Sequence, residues 1–502
     1  MNKFLPFAVF VCAVACGASA PDSPQVVGDA STDAGATGVN DAFAEASTQA
    51  ADIPVHVRTD LAYWSTISAS RAGDGLVHLV VAQSSVADYR LPPSYSWVDA
   101  ESDGRIARDG AFNAAAGASL SPIVTFGDDH DWFMDAPSPR ARPTGEGTRP
   151  QLLNLSPARP SDAGAMRPLP FLLADGLAGE MDMNVYRARC ASKDPVFVYD
   201  KLGATAYVRV WHLANGEDVV IATNCGFTRW LKLAADGTRL ADATLADFSG
   251  VEFTPPSVAF VPFEPMATAL DVEADGATTV VLDIQDGWNW SAVLAAMGLP
   301  YQEPRTSRKV VIHLDAQGTP EWRAVLTSDA SRRCSLVVRS PTAVHVMGRS
   351  HRETERPGDT LESDVWIASL DPTTGALSRE RVVDIDKEDW PDSAIADPRG
   401  GLILALRTGA VQVDSGSIVT YPDVVLMAFD DQLAERDRFR FGSPRADEVS
   451  TLSWLDDGRL LVAGSWDGPI THTPDAERHA SGFWAALPLD NWGTRTVVPR
   501  SW

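Results

Sequence analysis

The chain has 502 residues, 45% apolar and 22% charged, enough to bury one large core or a few ordinary domains. Its 67 Asp and Glu outweigh 42 Lys and Arg, a formal charge of −25. A surface that acidic repels phosphate backbones, which argues against nucleic acid as a partner and suits solubility or divalent cations.

The first twenty residues, MNKFLPFAVFVCAVACGASA, pair the positive Lys3 with an apolar run from Phe4 to Ala15. That run is too short to span a bilayer and fits the apolar region of a signal peptide, residues 1–15. Ala13-Val14-Ala15-Cys16 is similar to the bacterial lipobox. The resemblance implies a lipidated Cys16, several acyl chains and stable anchoring in a bacterial cell envelope. Two ordinary cleavage sites compete: Ala18-Ser19-Ala20, disfavoured by Pro21, and Ala13-Val14-Ala15, which would leave Cys16 a free thiol. Residues 16–52 are rich in Ala, Gly, Ser, Thr and Asp, with almost no large apolar side chains. Such a segment cannot offset its chain entropy by burial and reads as a disordered tether reaching roughly 30–35 Å. The folded part is expected over 53–502.

Short Val/Leu/Ile strands entered from turns then recur: DGLVHLVVAQS at Asp74, GEDVVIATNC at Gly216, GATTVVLDIQDG at Gly276, PTAVHVMGRS at Pro341, RGGLILALRTG at Arg399 and DDGRLLVAGSWDG at Asp456. A second unit ends most often in an Asp-centred turn: WVDAESDG at Trp97, WLKLAADG at Trp230, VVIHLDAQG at Val310, VWIASLDPTTG at Val365, VVLMAFDDQ at Val424 and FWAALPLDNWG at Phe483. Asp315, Asp371, Asp430 and Asp490 fall 56, 59 and 60 residues apart. That period suits one four-stranded propeller blade with its loops. The inner strands are continuous apolar runs, as expected for sheets covered on both faces.

DDGRLLVAGSWDG followed by a strand ending in LD, and SDVWIASLDPTTGALSRERV, resemble bacterial propeller repeats of the delta-sixty kind, over roughly Val310 to Trp502. The expected fold is an all-β propeller, with seven blades favoured and six or eight as alternatives. The blades are expected near Val55–Asn113, Ala114–Ala163, Arg167–Ala246, Asp247–Leu326, Thr327–Val383, Asp384–Phe441 and Gly442–Trp502. The last strand, RTVVP at Arg495, is expected to pair with N-terminal residues. A β-sandwich pair or a β-helix fits the period less well. WNWSAVLAAMG reads as a short helix capped by Asn289 or Ser291.

Candidate chemistry is sparse. GDDHDWFMD offers Asp128, Asp129, His130, Asp131 and Asp135 as metal donors, against the plainer reading of a solvated acidic loop. DIDKEDW superficially suggests an EF-hand through Asp384, Asp386 and Glu388. Asp389 stands where that loop needs Gly and Ile395 where it needs Glu, so the EF-hand is rejected. No cofactor is expected; calcium would be the ion if an acidic loop held one. Cys190 and Cys225 are the preferred disulfide pair, with Cys334 a free thiol. Trp288 and Trp290 in DGWNW are the candidates for stacking on a glycan. Trp366, Trp454 and Trp484, and His78, His212, His313 and His345, read as structural. No G-x-S-x-G, H-E-x-x-H, Walker A or G-x-G-x-x-G pattern occurs, and no catalytic residue is assigned. The expected function is a monomeric binding or scaffolding module for a protein or glycan. A glycan lyase or hydrolase, or a purely structural envelope protein, are the alternatives.

Overall fold

The structure, a computed structural model, describes residues 53–57, 64–71, 76–83, 94–101, 103–111, 118–121, 132–137, 151–154, 166–168, 172–174, 197–199, 206–213, 215–224, 227–234, 236–247, 266–284, 289–302, 309–326, 334–351, 363–386, 388–414, 417–442, 447–455, 457–466, 481–489, 491–492 and 497–501.

These residues form an all-β fold of successive four-strand units. After β1 (Ile53–Val57), the first unit holds β2 (Trp64–Arg71), β3 (Val77–Gln83), β4 (Ser94–Ala100) and β5 (Ile106–Ala111). The next holds β6 (Ala118–Ser121), β7 (Trp132–Pro137), β8 (Gln151–Asn154) and β9 (Met166–Pro168). A parallel pair, β10 (Leu172–Ala174) and β11 (Phe197–Tyr199), intervenes before β12 (Ala206–His212), β13 (Asp218–Asn224), β14 (Phe227–Leu233) and β15 (Arg239–Asp247). Then come β16 (Met266–Val272), β17 (Thr278–Asp283), helix α1 (Trp290–Ala296), β18 (Lys309–Leu314) and β19 (Pro320–Leu326). Next are β20 (Cys334–Arg339), β21 (Val344–His351), β22 (Ser363–Leu370) and β23 (Leu377–Val383). They are followed by β24 (Glu388–Ala396), β25 (Leu402–Asp414), β26 (Ser417–Phe429) and β27 (Glu435–Phe441). These last two units join through one parallel bridge, Ser363 to Glu388. The chain ends with β28 (Asp447–Trp454), β29 (Leu460–Trp466), β30 (Ser481–Leu487) and β31 (Val497–Ser501).

Two local devices repeat. The first is a tight turn in which a Gly N–H closes on the carbonyl three residues back, as Gly276 does on Glu273 and Gly458 on Leu455. The Asp or Asn before the Gly accepts a backbone N–H two residues on, as at Asp103, Asn215, Asp236, Asp275 and Asp457. Gly276 has φ 95, a conformation that a residue with a Cβ resists. The regularly spaced Asp315, Asp371 and Asp430 do related work after the third strand: each Oδ1 accepts two backbone N–H groups of its own turn. The second device is a β-bulge in the first strand, at one register in β2, β16, β20, β24 and β28. A bulge bends its strand and increases its twist.

First strands pack on first strands: β12 on β16, β16 on β20, β20 on β24, β24 on β28, and β28 on β2. That is the arrangement of a β-propeller-like fold, with the first strands at the hub. The cores lie between consecutive units. Val280, Leu282, Val310 and Ile312 pack against Ile221 and Trp230 of the preceding unit; Val281 and Val311 pack against Val344 and Val346 of the following one. All six residues of β18 are buried, and each large apolar side chain there contributes about 1.5–3 kcal/mol. Neither unit could cover both faces alone, which is why the pattern must repeat. Tryptophans lace the units together: the indole N–H groups of Trp230, Trp322 and Trp454 donate to Thr278 Oγ1, Pro372 O and Ala396 O. Trp366 and Trp484 are buried between units, as expected.

The layout expected from sequence needs two corrections. Val55 does not open the first unit. It lies in β1, which adds to β30 of the final sheet, in the order β28-β29-β30-β1-β31. Strand β31 pairs parallel with β1, so both ends of the described fold meet in one sheet, close to the pairing expected of RTVVP. Arg167 likewise closes a unit, on β9, and does not begin one. The helix forms as expected, with Asn289 Oδ1 accepting Ala292 N–H at its N-terminus.

Candidate functional site

Among the described residues, charged side chains gather around a partly exposed tryptophan where β24 and β28 begin. Trp390, on β24, is half-buried, and the Arg349 guanidinium of β21 lies 3.7 Å from its ring centroid. Arg407 of β25, directly opposite Trp390 in the ladder, reaches 5.4 Å from the same ring. Cation–π contacts of this kind hold both guanidiniums beside a partly exposed ring.

Asp392 is the bulged residue of β24, which turns its carboxylate inward. Arg407 Nε donates to Asp392 Oδ1 at 2.6 Å, and Val449 N–H donates to Oδ2 at 3.3 Å. Burial pushes the Asp392 carboxyl up to about 7, against the pull of the Arg407 charge. Glu448 of β28 presents its more exposed carboxylate 3.6 Å from Arg407 Nη1.

Beside this group stand Asp364, Asp384 and Asp389, each offering a carboxylate oxygen within 4.8 Å of the others. Asp364 is the second residue of β22, Asp384 follows β23 directly, and Asp389 is the second residue of β24. Asp389 Oδ2 accepts the N–H groups of Ile385 and Asp386 at 2.7 and 3.3 Å. Burial pushes the Asp389 carboxyl above its usual range, and the Asp384 charge adds to the shift. Thus Asp389, which spoiled the EF-hand spacing, meets Asp384 in space, and the distant Asp364 joins them.

At the other end of the hub strands, Arg339 Nη1 donates to His313 Nε2 at 2.8 Å, and His313 stacks on Trp322. Burial and the Arg339 charge push the imidazole down to about 4. His345 is fully buried, with Nδ1 2.8 Å from Ser369 Oγ, and burial pushes it to about 4 as well. Both are buried in strands and hydrogen-bonded there.

The residues singled out from sequence fare unevenly. Trp290 is the first residue of α1, only 5% exposed; its indole N–H donates to Gln302 O. It packs with Val293, Leu294 and Leu314, so its ring has no open face for a sugar. Trp288, Cys16, Cys190, Cys225, Asp128, Asp129, His130 and Asp131 lie outside the described residues. Sequence reasoning missed Arg349, Asp364, Trp390, Asp392 and Arg407. One signal was present: SDVWIASL and PDVVLMAF put Asp364 and Asp423 at one register of the repeat, an acid at the mouth of an apolar strand.

No family model matches the chain, and no curated protein matches it. Among solved structures, it is similar to Synechocystis apocarotenoid oxygenase at 10% identity and TM-score 0.36, over 86% of this chain and 98% of that one. A luciferin-regenerating enzyme matches at 11% identity and TM-score 0.31, over 76% of this chain and 96% of that one. An α-L-arabinofuranosidase from Fusarium graminearum matches at 9% identity and TM-score 0.28, over 58% of this chain and 94% of that one. Likenesses this slight carry no argument about activity; the fold rests on the strand pairing itself.

Proposed function

We propose that the chain is a secreted, lipid-anchored, monomeric cell-envelope protein whose seven-bladed propeller binds a protein or glycan partner. The blades are β2–β5, β6–β9, β12–β15, β16–β19, β20–β23, β24–β27, and β28–β30 closed by β1. The single observation that carries the binding reading is the half-buried Trp390 with two guanidiniums over its ring and the Glu448 carboxylate alongside. An aromatic platform rimmed by oriented charge is the kind of surface that anchors a partner. The lipobox-like Cys16 and the acidic tether support the address.

Pull-down of envelope fractions on the full chain, followed by Trp390→Ala, tests the binding. A tenfold or greater loss of capture with an unchanged far-UV spectrum is expected; undiminished capture rules out this surface, and the absence of any capture favours a purely structural role. Cys16→Ala should move the protein from the membrane to the soluble fraction; unchanged membrane partition would sink the anchor. An extracytoplasmic glycan lyase or hydrolase is the second reading, favoured by the Asp392 carboxyl that burial holds near neutral pKa. Against it, both Asp392 oxygens are already engaged by Arg407 and Val449.

A further inference from the structure

We propose that Asp364, Asp384 and Asp389 form a divalent-cation site, with calcium the best-fitting ion. The three side chains come from three separate elements, yet one oxygen from each lies within 4.8 Å of the others. Oxygens at about 2.3–2.6 Å from a shared calcium stand at most about 5 Å apart, so one ion can touch all three. All the donors are hard carboxylate oxygens, which select calcium or magnesium over softer metals. Asp384 is exposed and opens the site to water, which can complete the six to eight ligands calcium takes.

A cluster of acids alone is ordinary. What singles this one out is Asp389 Oδ1. Asp389 is fully buried, and its Oδ2 is pinned by two backbone N–H groups. Its Oδ1 accepts no hydrogen bond from the described residues. The Thr408 hydroxyl, its cross-strand neighbour, lies close enough to favour the charged carboxylate, yet neither it nor Asp389 Oδ1 makes a hydrogen bond of ordinary geometry. A buried carboxylate oxygen left in this state is costly, and a bound cation removes that cost.

The adjacent repeat supplies an internal comparison. Asp423 and Asp447 occupy the registers of Asp364 and Asp389 one unit further on. There Arg440 of β27 donates to Asp423 through Nε and Nη2, at 2.9 and 2.8 Å. In the β20–β23 unit the register of Arg440 holds Val382, which is 48% exposed. One repeat brings a guanidinium from its fourth strand; the other brings a third carboxylate, Asp384, at the position that Gly442 holds in the first. The pair of acids that Arg440 offsets in one repeat has no guanidinium from the fourth strand in the other, and gains a third carboxylate instead.

The test uses the full chain, stripped with chelator and titrated with calcium by calorimetry. Terbium serves as a luminescent substitute, because Trp390 beside Asp389 can sensitise it. We expect saturable binding, terbium emission displaced by calcium, and a thermal midpoint raised by calcium. Asp389→Asn should weaken calcium binding at least tenfold, as should Asp384→Asn, an exposed position that leaves the fold intact. Asp423→Asn and the pair Asp128→Asn with Asp131→Asn should leave the affinity unchanged. The proposal is overturned if the wild type binds no calcium, if Asp384→Asn binds as tightly as wild type, or if only the Asp128/Asp131 variant loses binding. Partner capture through Trp390 is scored separately, so either reading can fail alone.

Discussion

The Arg349 guanidinium lies 3.7 Å from the ring centroid of Trp390, yet Arg349 belongs to the second strand of one unit and Trp390 to the first strand of the next. The contact crosses the seam between two sheets that also share a broad apolar face. Arg349→Ala should therefore lower stability by about 1 kcal/mol, and Arg349→Lys by less. Thermal denaturation midpoints check this; equal midpoints for all three proteins would mean that the stacked pair contributes nothing.

Gly464 sits opposite Val449 at the bulge of β28, where a Cβ would come within 1.8 Å of Glu448 O. Gly464→Ala must push that backbone aside, an overpacking cost of about 1–3 kcal/mol. Gly458, in the turn before it, has φ 78 and nothing within 4 Å of a Cβ, so Gly458→Ala should cost only about 1 kcal/mol. Denaturant midpoints should rank wild type above G458A and G458A above G464A.

Val55 is 1% exposed and lies between β30 and β31. Val55→Asp buries a charge at the point where the chain ends meet, a cost of several kcal/mol. Limited proteolysis should then cut within the final sheet under conditions that spare the wild type. Leu240→Asp, at a position 51% exposed, should resist the protease as the wild type does.

Burial pushes His345, whose Nδ1 meets Ser369 Oγ, down to about 4 from its ordinary 6.5, and only the Asp431 charge opposes the shift. Below pH 6.5 the unfolded chain takes up a proton that the folded chain refuses. Stability from this group is therefore complete above about pH 6.5 and lost as the pH falls towards about 4, by about 3 kcal/mol in all. Asp392, raised to about 7, acts in the opposite sense over an overlapping range, because its folded form keeps a proton that the unfolded chain releases. His313, also pushed down to about 4, adds to the first effect, so a bare pH profile mixes all three. The difference between wild type and His345→Gln isolates the first: wild type should lose ground to the variant steadily from pH 6.5 to pH 4. Parallel profiles would show that the imidazole does not titrate as argued.

Much of the fold was legible because its determinants are local. The Asp457-Gly458 turn and the apolar run Leu460–Ala463 each state their own conformation. The even spacing of Asp315, Asp371 and Asp430 was visible because each carboxylate caps a turn within a few residues of itself. Even the helix start at Asn289 follows from one side chain and the N–H three residues on. Trp290 was misjudged for the complementary reason. Its burial depends on Leu314 of β18 and on the Gln302 carbonyl further along the chain, which leave no trace in DGWNW.

The sequence by itself determined the strands, their turns and the need to repeat, since backbone preference and apolar runs act over a few residues. Only the tertiary structure decided that β1 joins the last sheet, that Arg349 meets Trp390, and that Asp364 meets Asp384 and Asp389. Those meetings depend on how neighbouring sheets dock, and docking is set by packing summed over whole faces. Charge placed by such docking is invisible along the chain, because its partner can stand in any other strand.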